Sequence, residues 1–128
     1  MRILLDTHVL LWALMEPGRL PDTVREALES SDNEVLFSAA SIWEIAIKAS
    51  LKRVDFQVAP REIAEAAAES GFEELPVRSA AAASVAELPM HHRDPFDRLL
   101  VAQAIAAPVH LYTTDRQMEP YSELVHRI

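Results

Sequence analysis

Four carboxylates stand where this chain could gather them into one pocket: Asp6, Glu44, Asp97 and Asp115. Asp6 closes the apolar run Arg2–Leu5, and Asp115 follows the apolar and aromatic run 109–113. In open parallel sheets, ligands sit in the crevice at the carboxyl ends of strands, so both acids are expected at one sheet edge. Each also reads as an ordinary capping acid. Glu44 lies between Ile42-Trp43 and Ile45-Ala46-Ile47, where a charge is costly unless paired or bound to a cation. Its plain partner is Lys48, four residues on. Asp97 belongs to His92-Arg93-Asp94-Pro95-Phe96-Asp97-Arg98. There Asp94 is a good N-cap, Pro95 a good first helical residue, and Asp97 an acid suited to the helix dipole. Local helix chemistry thus accounts for Asp97, without excluding a second role in the crevice.

Concentrated carboxylate, with no cysteine in the chain and no paired-histidine spacing, suits a hard cation, Mg²⁺ or Mn²⁺. Such an ion binds substrate phosphate and activates water, so metal-assisted phosphodiester hydrolysis is the expected chemistry. The histidines at 8, 91, 92, 110 and 126 show no ligand pattern. His92 precedes a helix cap and could touch the site, although a loop position accounts for it equally.

The elements that must position these acids alternate along the chain. Strands are expected at Arg2–Leu5, 34–37, 72–77, 109–113 and 124–128. Helices are expected at Thr7–Met15, 21–30, 38–49, 60–70 (stopped by Gly71), 79–88 and from Asp94-Pro95 to about Ala106. The helix at 38–49 is apolar nearly all round and is expected to be buried. Trp43 is expected in the core, with a protein interface as its alternative, and Trp12 in the core or an interface. This order argues for a mainly parallel sheet with helices on both faces, an α/β/α sandwich.

The chain has 128 residues, which suits one domain over 1–128 with a core of its own. No apolar run approaches the roughly 20 residues of a membrane span, and Arg2 and Asp6 come too early for a signal peptide. A soluble, cytoplasmic protein is expected. Half of the residues are hydrophobic, which motivates a homodimer interface. The formal net charge of −8 opposes nucleic-acid binding if taken alone and suits a basic protein partner.

Four blocks carry a family resemblance: Leu4-Leu5-Asp6-Thr7-His8-Val9-Leu10-Leu11-Trp12, Ser38-Ala39-Ala40-Ser41-Ile42-Trp43-Glu44-Ile45 with Lys48, Asp94-Pro95-Phe96-Asp97-Arg98-Leu99-Leu100-Val101-Ala102-Gln103-Ala104, and Thr113-Thr114-Asp115. In order and rough spacing they resemble PIN-domain toxins of the VapC family; residues 60–88 carry little of the likeness. The resemblance implies an endoribonuclease with Mg²⁺ or Mn²⁺ on the acid cluster, silenced by a small cognate antitoxin. It implies Asp6 and Asp97 as the leading metal ligands, Glu44 and Asp115 completing the set, and Thr114 orienting a neighbour. Lys48, Lys52, Arg53, Arg93, Arg98 and Arg116 are candidates for RNA backbone contacts, and the remaining acidity suits an antitoxin with a basic tail. An aspartate-nucleophile phosphatase is disfavoured because His8 stands where its second aspartate would. A Mg²⁺-binding receiver-type module or a catalytically silent interaction protein is the alternative, and RNA cleavage separates both from a nuclease.

Overall fold

The structure is a computed structural model that describes residues 1–51 and 57–128. Among the described residues, one parallel sheet forms from β1 (Arg2–Leu5), β2 (Glu34–Ser38), β3 (Glu73–Leu75), β4 (His110–Thr113) and β5 (Val125–Arg127), in the order β3-β2-β1-β4-β5. β1 pairs with β2 through Leu4–Leu36 and with β4 through Leu4–Leu111. The chain therefore winds outward from β1 to β3 and then returns to build β4 on the other flank. The reversal falls between β1 and β4, and a crevice opens beyond their carboxyl ends.

Strand alternation splits the core into two layers. Ile3, Leu5, Val35 and Phe37 face one side. There they meet α1 (Thr7–Met15), α2 (Asp22–Glu29), α3 (Ala39–Ser50) and α4 (Pro60–Glu69), through Val9, Leu10, Val24, Ile45, Ile63 and Ala67. Leu4, Leu36 and Leu111 face the other side, against Leu100, Val101 and Ala104 of α6 (Pro95–Ala106) and against Met118. The layers are those expected from the sequence. The chain between 79 and 88 is shorter than one helix: α5 spans Ser79–Ser84 and a 3-10 turn follows over Val85–Glu87. Gly71 stops α4 with a φ of 84°, a left-handed conformation that suits glycine.

One expectation fails on α3. The helix is not buried all round: Glu44 is buried, whereas Trp43 is 59% exposed. Neighbouring helical side chains diverge by about 100°. Packing Ile45 into the sheet and Glu44 toward Thr7 therefore turns Trp43 outward, where it meets Phe96 edge-on at 5.2 Å between ring centroids. Trp12 is partly buried against the first core layer, with the Arg19 guanidinium 5.6 Å from its ring centroid.

Candidate metal centre

Asp6 is the residue at which β1 becomes α1. Its Oδ1 accepts from Val9 N at 2.8 Å, which caps the helix, and its Oδ2 accepts from the Thr113 hydroxyl at 2.5 Å. Thr113 ends β4 with its side chain pointing inward and wholly buried. Its Oγ1 also accepts from Asp115 N at 3.0 Å, so one hydroxyl ties the ends of β1 and β4 together. Thr113, not Thr114, does this orienting. Strand alternation decides which of two adjacent threonines faces inward, and the motif alone does not set that phase.

Glu44 enters from α3. The Thr7 hydroxyl donates to Glu44 Oε1 at 2.7 Å, with Ser41 Oγ 3.0 Å from the same hydroxyl. The Lys48 ammonium meets Glu44 Oε2 at 2.8 Å, so the ion pair expected from sequence forms, and it forms at the edge of the candidate site. Lys52 and Arg53 lie outside the described residues.

Asp97 stands in the first turn of α6, where Asp94 caps the helix by accepting from Asp97 N at 2.8 Å. Its Oδ2 lies 2.9 Å from His92 Nε2, and Asp115 Oδ2 lies 2.9 Å from the same nitrogen. Donor atoms of His92, Asp97 and Asp115 all fall within 4.8 Å of one another. Asp6 and Glu44 are not members of that tight trio. Asp6 is nonetheless close enough that its charge helps to raise the Asp97 pKa, and Glu44 acts on Asp6 in the same way. All four expected acids therefore converge on the crevice. The histidine that lies against Asp97 and Asp115 is the residue for which the sequence offered only proximity to a helix cap.

The remaining cations differ in role. Arg93 and Arg116 are exposed. Arg98 is buried, and its guanidinium is spent on main-chain carbonyls: Nη1 donates to Pro89 O and Nη2 to Val85 O, each at 3.0 Å. It also donates to the Tyr121 hydroxyl at 3.1 Å, and that hydroxyl accepts from His92 N at 2.8 Å. Arg98 thus braces the loop that carries His92. The RNA backbone contact expected of Arg98 from the sequence is thus replaced by a supporting role, because its guanidinium is buried on these carbonyls.

The electrostatics favour a cation. Burial pushes the Asp6 carboxyl above its ordinary range, against the hydrogen bonds from Thr113 and Val9. Burial, then the charges of Asp94 and Asp6, push Asp97 up to about 7, with His92 opposing them. Ionising both acids in so confined a space is unfavourable without a positive counter-charge. The donors are carboxylate oxygens with one imidazole and no thiolate, so the residues present fit a small divalent ion.

Comparison with known proteins agrees with this geometry. The PIN domain family model matches residues 3–124. Over 123 residues the chain is 33% identical to Ribonuclease VapC22 of Mycobacterium tuberculosis, covering 93% of this chain and 91% of that protein. The chain belongs to the PIN-domain family and, within it, to the VapC group. Its fold is shared with VapBC2 from Rickettsia felis bound to a DNA fragment from their promoter, at a TM-score of 0.73 and 18% identity over 100% of this chain and 99% of that one. It is shared also with DNA-bound VapBC from Salmonella typhimurium, at a TM-score of 0.71 and 16% identity over 99% and 98% of the two chains.

Proposed function

We propose that this chain is a divalent-cation-dependent endoribonuclease, the toxin of a toxin–antitoxin pair. One observation carries the reading: carboxylates from the ends of β1 and β4 and from α3 and α6 converge at the sheet's topological switch, where Asp97 is pushed up to about 7. The similarity to a protein named a ribonuclease supplies the substrate class.

Asp6, Asp97 and Asp115 would hold Mg²⁺ or Mn²⁺, with Glu44 completing the set. The bound ion would lower the pKa of water and offset charge on the leaving oxygen. The chain's own groups keep the site in register. Thr113 fixes Asp6 relative to Asp115, Thr7 fixes one oxygen of Glu44, and Lys48 balances the other. Exposed Arg93 and Arg116, together with Lys48, are suited to phosphates flanking the scissile one, which is how a chain of charge −8 would still engage RNA.

VapBC complexes among the structural neighbours support a small antitoxin as partner, and the acidity of this chain suits a basic tail on it. Exposed Trp43 and Met90 support a homodimer. No described helix is long and apolar enough to cross a membrane.

Labelled RNA incubated with the purified chain should be cut internally with Mg²⁺ or Mn²⁺ and left intact with EDTA. Asp6→Asn should abolish cleavage while the circular dichroism spectrum is retained. A chain that binds cation but leaves every RNA intact would be a receiver-type or silent module instead.

A further inference from the structure

We propose that Trp43, held edge-on by Phe96 at the rim of the metal centre, is a stacking platform for one nucleobase of the RNA. The inference rests on the proposed function, because a base subsite has meaning only on a chain that cuts RNA. It concerns a part of the substrate that the acids of the crevice cannot recognise, since a cation held there meets phosphate and not a base.

The starting point is where the two rings stand in the chain. Trp43 immediately precedes Glu44 on α3, and Phe96 immediately precedes Asp97 on α6. Consecutive Cα atoms are about 3.8 Å apart, so each ring is rooted beside a carboxylate of the crevice. Glu44 turns inward to the Thr7 hydroxyl, and the helical repeat then brings Trp43 out at the rim. The rings meet across the two helices at 5.2 Å between centroids and 71° between planes. Such a contact orients the indole without covering both of its faces. Trp43 is exposed and Phe96 half-buried, so the face left open to solvent belongs to the indole. Single exposed apolar residues are common; this one is set apart by its paired ring and by its place beside Glu44.

The charge of the chain favours a base as the occupant. With 12 Lys and Arg against 20 Asp and Glu, attraction for phosphate supplies little of the affinity for RNA. Stacking of a base on an aromatic ring does not depend on that charge, and every base offers a face for it. A base next to the scissile phosphate must also pass this rim whenever the phosphate enters the crevice. An exposed indole suits contact between copies of the chain as well. A copy seated there, however, would cover the rim beside Glu44 and Asp97 that RNA has to cross. Contact between copies is then left to other exposed apolar side chains, Met90 among them.

The test is a cycle between Trp43 and the base it should hold. The cleavage position is mapped on a labelled single-stranded RNA, and RNAs are made with an abasic nucleotide at each position beside it. Trp43→Ala should raise KM for the intact RNA about tenfold or more and leave kcat within about twofold. Trp43→Phe keeps a stacking face and should stay close to wild type. One abasic position should cost wild type the same factor and cost Trp43→Ala nothing further. Should Trp43→Ala fail to fold, fluorescence decides. The chain has two tryptophans, so Asp6→Asn combined with Trp12→Phe leaves Trp43 as the one indole on a chain that should not cut; intact RNA should quench it and the abasic RNA should not. Binding without quenching, an unchanged KM, a loss confined to kcat, or abasic costs that do not depend on Trp43 would each overturn the inference. So would a Trp43→Ala chain that turns monomeric or loses its antitoxin while its RNA kinetics stay those of wild type, because the ring would then belong to a protein interface. A wild type that cuts no RNA ends the proposed function and this inference together. One that cuts RNA with no dependence on the indole ends the inference alone.

Discussion

Asp97→Asn should stabilise the metal-free protein at neutral and alkaline pH while removing its activity. Burial and the charges of Asp94 and Asp6 raise the Asp97 carboxyl from 3.8 to about 7. At 1.36 kcal/mol per pH unit, that difference corresponds to about 4 kcal/mol of penalty once the carboxyl is ionised in the folded state. The sign follows from linkage. Below pH 3.8 the group is protonated in both folded and unfolded chains and contributes nothing. As pH rises from 3.8 the unfolded chain releases its proton first, so stability declines until the folded group ionises near pH 7, and the penalty is constant above. Asparagine removes the ionisation and keeps an acceptor oxygen for His92, whose bond to the ionised carboxylate is already contained in the net rise to about 7. The gain above pH 7 is therefore about 4 kcal/mol, or roughly 16 °C in melting temperature for a domain of this size. Differential scanning calorimetry in EDTA from pH 4 to 8 reads it. The melting curves should coincide at pH 4 and separate steadily to pH 7. Adding Mg²⁺ at about 1,000 times its Kd should return about 4.1 kcal/mol to wild type alone and close the gap. A gap that is independent of pH, or a variant less stable than wild type at pH 8, would refute the account of Asp97 as a carboxylate held out of its ordinary range by its neighbours.

Three further outcomes follow from other contacts. Thr113→Val should cost about 2 kcal/mol in urea unfolding, because Asp6 Oδ2 and Asp115 N lose a shared buried hydroxyl, and Thr113→Ser should recover most of it. Arg98→Ala should cost about 3 kcal/mol or more, since it orphans carbonyls of the 85–92 loop; a loss below 1 kcal/mol would show that the loop is held by something else. Antitoxin binding, measured at matched ionic strength, should weaken when Mg²⁺ replaces Na⁺, because a guanidinium placed among Asp6, Glu44, Asp97 and Asp115 would compete with the cation for them. Equal affinity in both salts would point to occlusion of the RNA-binding face instead.

Much of this protein is legible in local order. Apolar runs that end in an acid mark strands and the edge at which their ligand groups emerge, and Asp6 and Asp115 lie where that rule puts them. Asp94-Pro95 and Gly71 mark helix ends by backbone chemistry that needs no partner. The Glu44–Lys48 pair is set by the helical repeat. Each of these depends on residues within a few positions of one another, so the sequence by itself determines them.

What only the tertiary structure decides depends on residues far apart in the chain. Trp43 is exposed and Glu44 buried because α3 rolls Ile45 into the sheet and lays Glu44 against Thr7; apolar residues on every side of a helix do not say which one is left outside. Thr113 rather than Thr114 binds Asp6 because the pleat of β4, fixed by its pairing with β1, turns alternate residues inward. Arg98 is a loop brace rather than a surface cation because the 85–92 segment folds over α6 and offers its carbonyls there. His92 reaches Asp97 and Asp115 only because that braced loop lies across the end of β4. Periodicity along a chain gives the direction of a side chain relative to its own element. The group it meets is chosen by packing between elements, which is where the long-range contacts and their desolvation costs are settled.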